Sequence, residues 1–226
     1  MENLTIEQLF TLDIEDCHNY NLKKKFYGNK LINCPKNYNN IKFKLRYIDN
    51  VIPSKILQKM YSFCKDGLWE IDHSSNVNKS KIFFFSLNVY NNIYFIEIFN
   101  KLIIPKLDNI NNKENLIIDR AYVNGHQYGS PGNFHTDGRS SLENIGPSII
   151  IYLNCIWNPD WNGGTMFIID EKNNKKEYLT IDFIPGRIVV FDPCISHSAL
   201  DTSIYTKAEG ITRMTLAYHT IYKNNC

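Results

Sequence analysis

The chain has no CxxC pair, no leader-like opening, no unbroken apolar run and no marked excess of either charge. Each absence removes a class of protein. The cysteines at 17, 34, 64, 155, 194 and 226 stand far apart, so a CxxC-based site is excluded and reduced thiols are expected. The opening MENLTIEQLF carries acids where a secretory leader carries bases and then an apolar stretch, which predicts a cytoplasmic protein. The most apolar segment, NNIYFIEIFNKLIIPKL, is broken by Glu97 and Lys101 and is too short to span a bilayer, so no membrane partner is expected. Lys and Arg (25) nearly balance Asp and Glu (23), so no basic stripe argues for a nucleic-acid binder. No internal repeat is visible, and no linker justifies a domain cut.

What is present is 226 residues, 43% hydrophobic and 13% aromatic, enough to close one core. The Asn-rich loops follow from an overall abundance of Asn, Lys, Ile and Tyr and carry no functional weight. Residues 1–114 read as a support region of helices and strands. TIEQLFTL suggests a short helix capped by Thr5, and IKFKLRYI (Ile41–Ile48) a half-exposed strand. IPSKILQKMYSFCKDG places Ile56, Leu57, Met60, Tyr61 and Cys64 on one helical stripe, with Ser54 as cap and Gly67 as stop. KIFFFSLNVY reads as a buried strand, and IYFIEIFNKLIIPKL as a helix up to a bend near Pro105. From residue 115 the character changes. NLIIDRAYVN, GNFHTD, PSIIIYLN, GGTMFIID, EYLTIDF, GRIVVFD and ITRMTLAYHTIY follow one another between Gly, Pro and Asn turns. Short strands at this spacing, with no helices between them, predict an all-β sandwich or barrel such as a jelly roll.

Chemistry gathers in that second half. In NFHTDGRSSL, His135 and Asp137 are two residues apart, and in a strand such residues share a face. PGRIVVFDPCISHSAL supplies a third candidate, His197, after a turn marked by Asp192 and Pro193. Two histidines and a carboxylate leave three positions open on a metal, the arrangement used by non-haem Fe(II) oxygenases. An HxD pair alone is weak, because it occurs often by chance in surface loops. The neighbouring residues give it weight. Arg213 enters the apolar strand RMTLAYHT, where a guanidinium needs a carboxylate or phosphate partner; the ordinary alternative is an internal salt bridge. Tyr152 puts a hydroxyl into the apolar PSIIIYLN, to meet a ligand carboxylate or, as readily, the backbone. The glycines of WNGGTMFI allow a close backbone approach, or only a turn.

Taken in order, HTD, YLN…W…GGTMFI, PGRIVVFDPCISHSAL and TRMTLAY resemble the 2-oxoglutarate- and Fe(II)-dependent dioxygenases, most nearly the prolyl-4-hydroxylase-like group, over about residues 115–222. The resemblance implies a mainly β fold with flanking α: a double-stranded β-helix (jelly-roll) core over 115–222, preceded by N-terminal helices, in a single domain spanning 1–226. It maps His135, Asp137 and His197 to iron, Arg213 to the distal carboxylate of 2-oxoglutarate, and Tyr152 and Tyr122 to the same cosubstrate. Lys207 stands where some prolyl hydroxylases place an anchoring lysine, but it lies in the polar TKAEG, so Arg213 is preferred. Asn124 and Gly129 before the HxD pair are similar to the nucleic-acid-dealkylating branch, although His126 stands where that branch has tyrosine. His219 shares the strand parity of Arg213 and is a candidate to contact substrate or support the site, against a satisfied core histidine. His126 is a candidate gate on a loop, against a solvated histidine. Arg139 is a candidate to hold a substrate acid at the mouth, against an exposed loop arginine. His18 and His73 read as surface residues.

The implied activity is hydroxylation of a C–H bond in a peptidyl (prolyl-type) or small-molecule substrate. Its cofactors would be Fe(II), 2-oxoglutarate and O2, with ascorbate as reductant and succinate and CO2 as coproducts. No catalytic residue beyond the metal shell is required. Two alternatives stay open: a nucleic-acid demethylase or hydroxylase of the same superfamily, and a non-catalytic jelly-roll module that binds metal or ligand without turnover.

Overall fold

The computed structural model describes residues 30–31, 45–73, 83–108, 110–138, 144–172 and 175–223. The helix expected over TIEQLFTL lies outside them. In chain order the elements are β1 (Lys30–Leu31), β2 (Arg46–Ile48), α1 (Ser54–Lys65), β3 (Glu70–His73), β4 (Phe84–Asn88), α2 (Ile93–Ile98), β5 (Leu116–His126), β6 (Ile145–Tyr152), β7 (Thr165–Lys172), β8 (Lys175–Ile181), β9 (Ile188–Phe191), β10 (His197–Ala199), α3 (Ile204–Ala208) and β11 (Arg213–Tyr222).

The strands form two antiparallel sheets. The larger runs β1-β2-β9-β6-β11-β5-β4-β3 and the smaller β10-β7-β8. Tyr152, Val189 and Phe191 from the large sheet pack against Phe167 and Ile181 from the small one, with Phe167 and Phe191 edge to face at 5.1 Å. On the other side of the large sheet, Ile56, Leu57 and Met60 of α1 and Phe95 of α2 pack against Ile149, Ile151, Leu216 and Tyr218. The large sheet is therefore covered on both faces, which explains the nearly unbroken apolar character of β6 and β9. The result is a double-stranded β-helix with helices on its outer face.

Several elements differ from expectation for local reasons. Helix α1 buries Ile56, Leu57, Met60 and Cys64, but Ser54 is its first helical residue and Pro53 is the cap, so the fixed φ of proline leads the chain in. The helix expected up to Pro105 is ordinary α only over Ile93–Ile98. It widens into a π turn at Phe99–Ile103 and tightens into a 3-10 turn at Ile104–Lys106, around a proline that has no N–H for the ladder. Strand β4 is only half buried, with Phe83 just before it 52% exposed, because it lies second from the edge of the sheet. Of the strand expected at Ile41–Ile48, the described part is β2. GNFHTD forms no strand. Nor is the region before residue 115 only a support, since β1 to β4 extend both ends of the large sheet.

A buried ion pair pins one of those extensions. Arg187, just before β9, donates to both Asp49 carboxylate oxygens, at 2.7 and 2.9 Å, and lies 4.1 Å over the Tyr47 ring. The pair clamps the end of β2 beside β9 and sits with side chains 7% and 3% exposed. Cys64, Cys155 and Cys194 are free thiols. No helix among the described residues is long and apolar enough to cross a membrane.

Removing one partner of such a pair leaves the other charged and buried. Arg187→Ala is expected to lower unfolding stability by about 3–5 kcal/mol, read as a fall in the urea midpoint with little change in slope.

Candidate metal centre

Two connections bring the candidate ligands together. After β9 the chain turns at Asp192, whose carboxylate accepts from Cys194 N–H at 2.9 Å and whose carbonyl accepts from Ile195 N–H at 2.9 Å. The turn delivers His197 at the start of β10. The β5–β6 connection then docks on it by an isolated bridge, with His135 N–H donating to His197 O at 3.0 Å and His197 N–H to His135 O at 2.9 Å. Asp137 N–H and Gly138 N–H both donate to Pro193 O. His135 and Asp137 thus converge without the strand expected for them, held instead by backbone bonds to the β9–β10 turn.

One ligand atom from each of His135, Asp137 and His197 lies within 4.8 Å of the others. Asp137 Oδ1 is 3.5 Å from His135 Nε2 and 3.7 Å from His197 Nε2. The tautomers are settled by the far side of each ring. His135 Nδ1 lies 2.8 Å from Asn133 O and His197 Nδ1 3.0 Å from Ile195 O. A carbonyl can only accept, so each Nδ1 carries a proton, and each Nε2 is the ring atom left facing Asp137 and available to a metal. This is how metal-binding histidines are oriented. Burial works against the charge of Asp137, but the imidazoles of His197, His219 and His135 outweigh it and hold the carboxyl below its ordinary value. The donor set is therefore two imidazole nitrogens and an ionised carboxylate oxygen, a fit for a divalent first-row metal.

His219 stands behind this group, with Nδ1 3.7 Å from Asp137 Oδ2 and Nε2 2.7 Å from the Tyr122 hydroxyl. Burial lowers its pKa to about 4, with Asp137 acting in the opposite sense, so the ring is neutral at pH 7. Burial, with Asp137 adding to it, raises the Tyr122 phenol, which stays protonated. With Tyr122 donating to Nε2, the imidazole proton sits on Nδ1 and faces a carboxylate that can only accept. His219 is therefore a buried, hydrogen-bonded histidine that also stands against the Asp137 carboxylate.

All of these residues border one cavity of about 340 Å³. Its far wall holds Arg213, 1% exposed. Arg213 donates to the Gly163 carbonyl through Nε, to Thr215 Oγ1 at 3.2 Å and to Thr165 Oγ1 at 3.3 Å. Gly163 has φ +78°, and a Cβ there would meet Arg213 Cδ at 3.2 Å, so this close approach depends on glycine. Burial lowers the guanidinium to about 10, with Tyr152 opposing, and it remains a cation at pH 7. Among the described residues no carboxylate pairs with it.

The other sequence candidates are sorted by placement. Lys207 is exposed on α3, 5.9 Å from the Tyr128 ring centre, and does not border the cavity. Tyr152 is fully buried but does not border it either; its hydroxyl reaches Thr165 Oγ1 at 2.9 Å and Ile181 O at 3.1 Å. The contact expected of Tyr152 is thus replaced by support of Thr165 from behind, because the hydroxyl is already used inside the core. Asn124 borders the cavity from β5. So does His126, which is neither on a loop nor solvated. It ends β5, 3% exposed, stacked 4.2 Å from Phe84, with Nδ1 2.7 Å from Ser130 O. Arg139 and His18 lie outside the described residues.

No family model matches the chain, and no curated protein matches it. Solved structures do. An oxidoreductase of the 2OG-Fe(II) oxygenase family from Burkholderia pseudomallei superposes with a TM-score of 0.62 at 11% identity, covering 80% of this chain and 86% of that one. A prolyl hydroxylase from Trichoplax adhaerens, in complex with a hypoxia inducible factor oxygen degradation domain peptide, gives 0.59 at 15% identity over 79% and 83%. HygX from Streptomyces hygroscopicus, with nickel and 2-oxoglutarate bound, gives 0.55 at 10% identity over 79% and 83%. The fold is that of the 2OG-Fe(II) oxygenases, with prolyl hydroxylases among its neighbours.

Within this oxygenase fold the cavity wall is set by strand parity. On β11, Arg213, Thr215, Ala217 and His219 face the cavity; across the pair on β5, so do His126, Asn124, Tyr122 and Arg120. Thr215 and Arg120 were overlooked in the sequence, although the alternation that singled out His219 and Tyr122 includes both.

Replacing a ligand should show directly in metal affinity. Asp137→Ala is expected to lower Ni(II) or Fe(II) affinity by at least about 100-fold, by anaerobic titration calorimetry, whereas Lys207→Ala keeps the wild-type value. Equal affinities for Asp137→Ala and wild type would remove these residues from metal binding.

Proposed function

We propose that the protein is a 2-oxoglutarate- and Fe(II)-dependent oxygenase that hydroxylates a C–H bond in a peptidyl or small-molecule substrate. One observation carries this reading: the His135–Asp137–His197 cluster and a buried guanidinium without an acid partner among the described residues border the same cavity. A metal site alone would need no such cation, and a structural arginine would have its carboxylate within the fold. HygX, a neighbour in fold, holds nickel and 2-oxoglutarate.

His135 and His197 would hold the metal through Nε2 and Asp137 through Oδ1, on one face, leaving the opposite face to the cavity. Arg213 would hold the distal carboxylate of the cosubstrate. Thr215 assists: its hydroxyl accepts from Arg213 and has one proton of its own to give an anion. Tyr122, protonated and on the cavity wall, would lie along the same ligand. Bound Fe(II) and 2-oxoglutarate supply the activation of dioxygen and removal of a substrate hydrogen, with succinate and CO2 as coproducts. The chain supplies orientation and a wall that keeps water from the reacting centre. The Trichoplax enzyme is in complex with a peptide, which supports testing peptides beside small molecules.

The test is succinate formation from 2-oxoglutarate with Fe(II), ascorbate and O2, without added substrate. Wild type is expected to turn over slowly, and His135→Ala and Arg213→Ala to fall to background. Silence in all three would move the question to binding. There, saturating 2-oxoglutarate should stabilise metal-loaded wild type by about 2.7 kcal/mol at one hundred times Kd, seen as a rise in Tm, and should not shift Arg213→Met. No ligand-induced shift in wild type would sink the oxygenase reading.

A further inference from the structure

A second arginine stands in the cavity with nothing to do there. Arg120 borders it from β5, directly across the strand pair from His219. Its ion contact among the described residues is Asp119 Oδ2, its own neighbour in sequence, at 3.6 Å, and its Nε is buried without a hydrogen-bond partner. A guanidinium carries five N–H donors in a fork made for a carboxylate or phosphate. This one makes no hydrogen bond to any described residue, yet forms part of a concave wall rather than an outer face. Burying Nε there without a partner costs free energy that packing does not return.

Charge balance points the same way. Asp137 is the one acid among the described residues that border the cavity. On the oxygenase reading, a divalent metal offsets Asp137 and one cosubstrate carboxylate, and Arg213 offsets the other. Arg120 then remains a cation with no acid of the cavity wall left for it, its one ion contact among the described residues being Asp119, which does not border the cavity. It is also separated from Arg213: β11 pairs Arg213 with His126 and His219 with Arg120, at opposite ends of the cavity, and Asp137 lies at the His219 end. An anion on Arg120 would therefore lie near the metal without competing for the cosubstrate anchor.

We propose that Arg120 binds a carboxylate or phosphate on the substrate, and so selects which C–H bond faces the metal. This rests on the oxygenase reading and adds a substrate class to it: molecules with an anionic group close to the reacting carbon. Within about 340 Å³ shared with the cosubstrate, only a small group can enter. Arg120 is a positioning residue, and its loss acts on substrate choice.

The experiment uses full-length protein loaded with Mn(II) and saturated with 2-oxoglutarate, without oxygen. Matched pairs of probes are offered by ligand-observed NMR: small carboxylic acids and phosphate monoesters against their amides and alcohols, and short proline-containing peptides with Glu against the same peptides with Gln. The anionic member of a pair is expected to bind roughly 10- to 100-fold more tightly, the range of a charge-assisted hydrogen bond. That preference should vanish in Arg120→Gln and survive in part in Arg120→Lys, which keeps the charge but not the fork. Preference among the peptides alone identifies an acidic peptide as the source, and among the small acids alone a metabolite. Equal binding within every pair, or a preference unchanged in Arg120→Gln, overturns the proposal. Titrating 2-oxoglutarate on the same samples separates the two failures. If wild type binds no 2-oxoglutarate, the oxygenase reading falls; if it does and the anions show no Arg120-dependent preference, only the role of Arg120 falls. Arg120 is 38% exposed and makes no hydrogen bond to any described residue, so its variants are expected to keep the wild-type Tm.

Discussion

The site depends on two backbone hydrogen bonds. His135 and His197 each donate to the other's carbonyl, joining a loop that follows β5 to a strand that follows β9. Neither segment carries a complete donor set. Once joined, they leave little freedom: Asp137 is tied to Pro193, each imidazole is tied through Nδ1 to a carbonyl two residues earlier, and both Nε2 atoms face one carboxylate. Backbone bonds do this without side-chain entropy to lose, which suits a centre that must keep its geometry as ligands come and go.

The rest of the architecture makes that join affordable. A buried carboxylate, several imidazoles and a guanidinium in one cavity are costly, and the large sheet offsets the cost on its other face. Along β11, Met214, Leu216 and Tyr218 pack toward α1 and α2, while Arg213, Thr215 and His219 turn inward. One strand thus carries both the apolar contacts that hold the fold and the polar groups of the cavity. The two populations are kept apart by the alternation of side chains alone.

The arginines show how burial and partners separate structure from chemistry. Arg187 and Arg213 are both largely buried. Arg187 has its carboxylate within the chain, bidentate and enclosed, and joins two strands. Among the described residues Arg213 has only carbonyls and hydroxyls, so its charge is solvated but not neutralised there. The same residue type is a clamp in one place and, on the proposed reading, an anion seat in the other.

Much of this was legible in the sequence. The run of short strands after residue 115, the apolar stripe of α1 and the parity shared by Arg213 and His219 are periodic features, and periodicity survives without knowledge of the fold. Local chemistry also separated Arg213, in an apolar strand, from Lys207, in the polar TKAEG segment that begins within α3. What could not be read depended on partners distant along the chain. Tyr152 could equally meet a ligand or the backbone until β7 and β8 came to lie against it and took its hydroxyl. His126 looked like a loop residue because the Gly and Pro after it hide the end of β5, which pairs with β11 as far as Arg213. The sequence by itself determined which residue types alternate on which strands, because side-chain direction follows from local backbone geometry. Only the tertiary structure decided which of them share a cavity and which polar groups keep a donor to spare, because hydrogen bonds and charges are satisfied by neighbours in space.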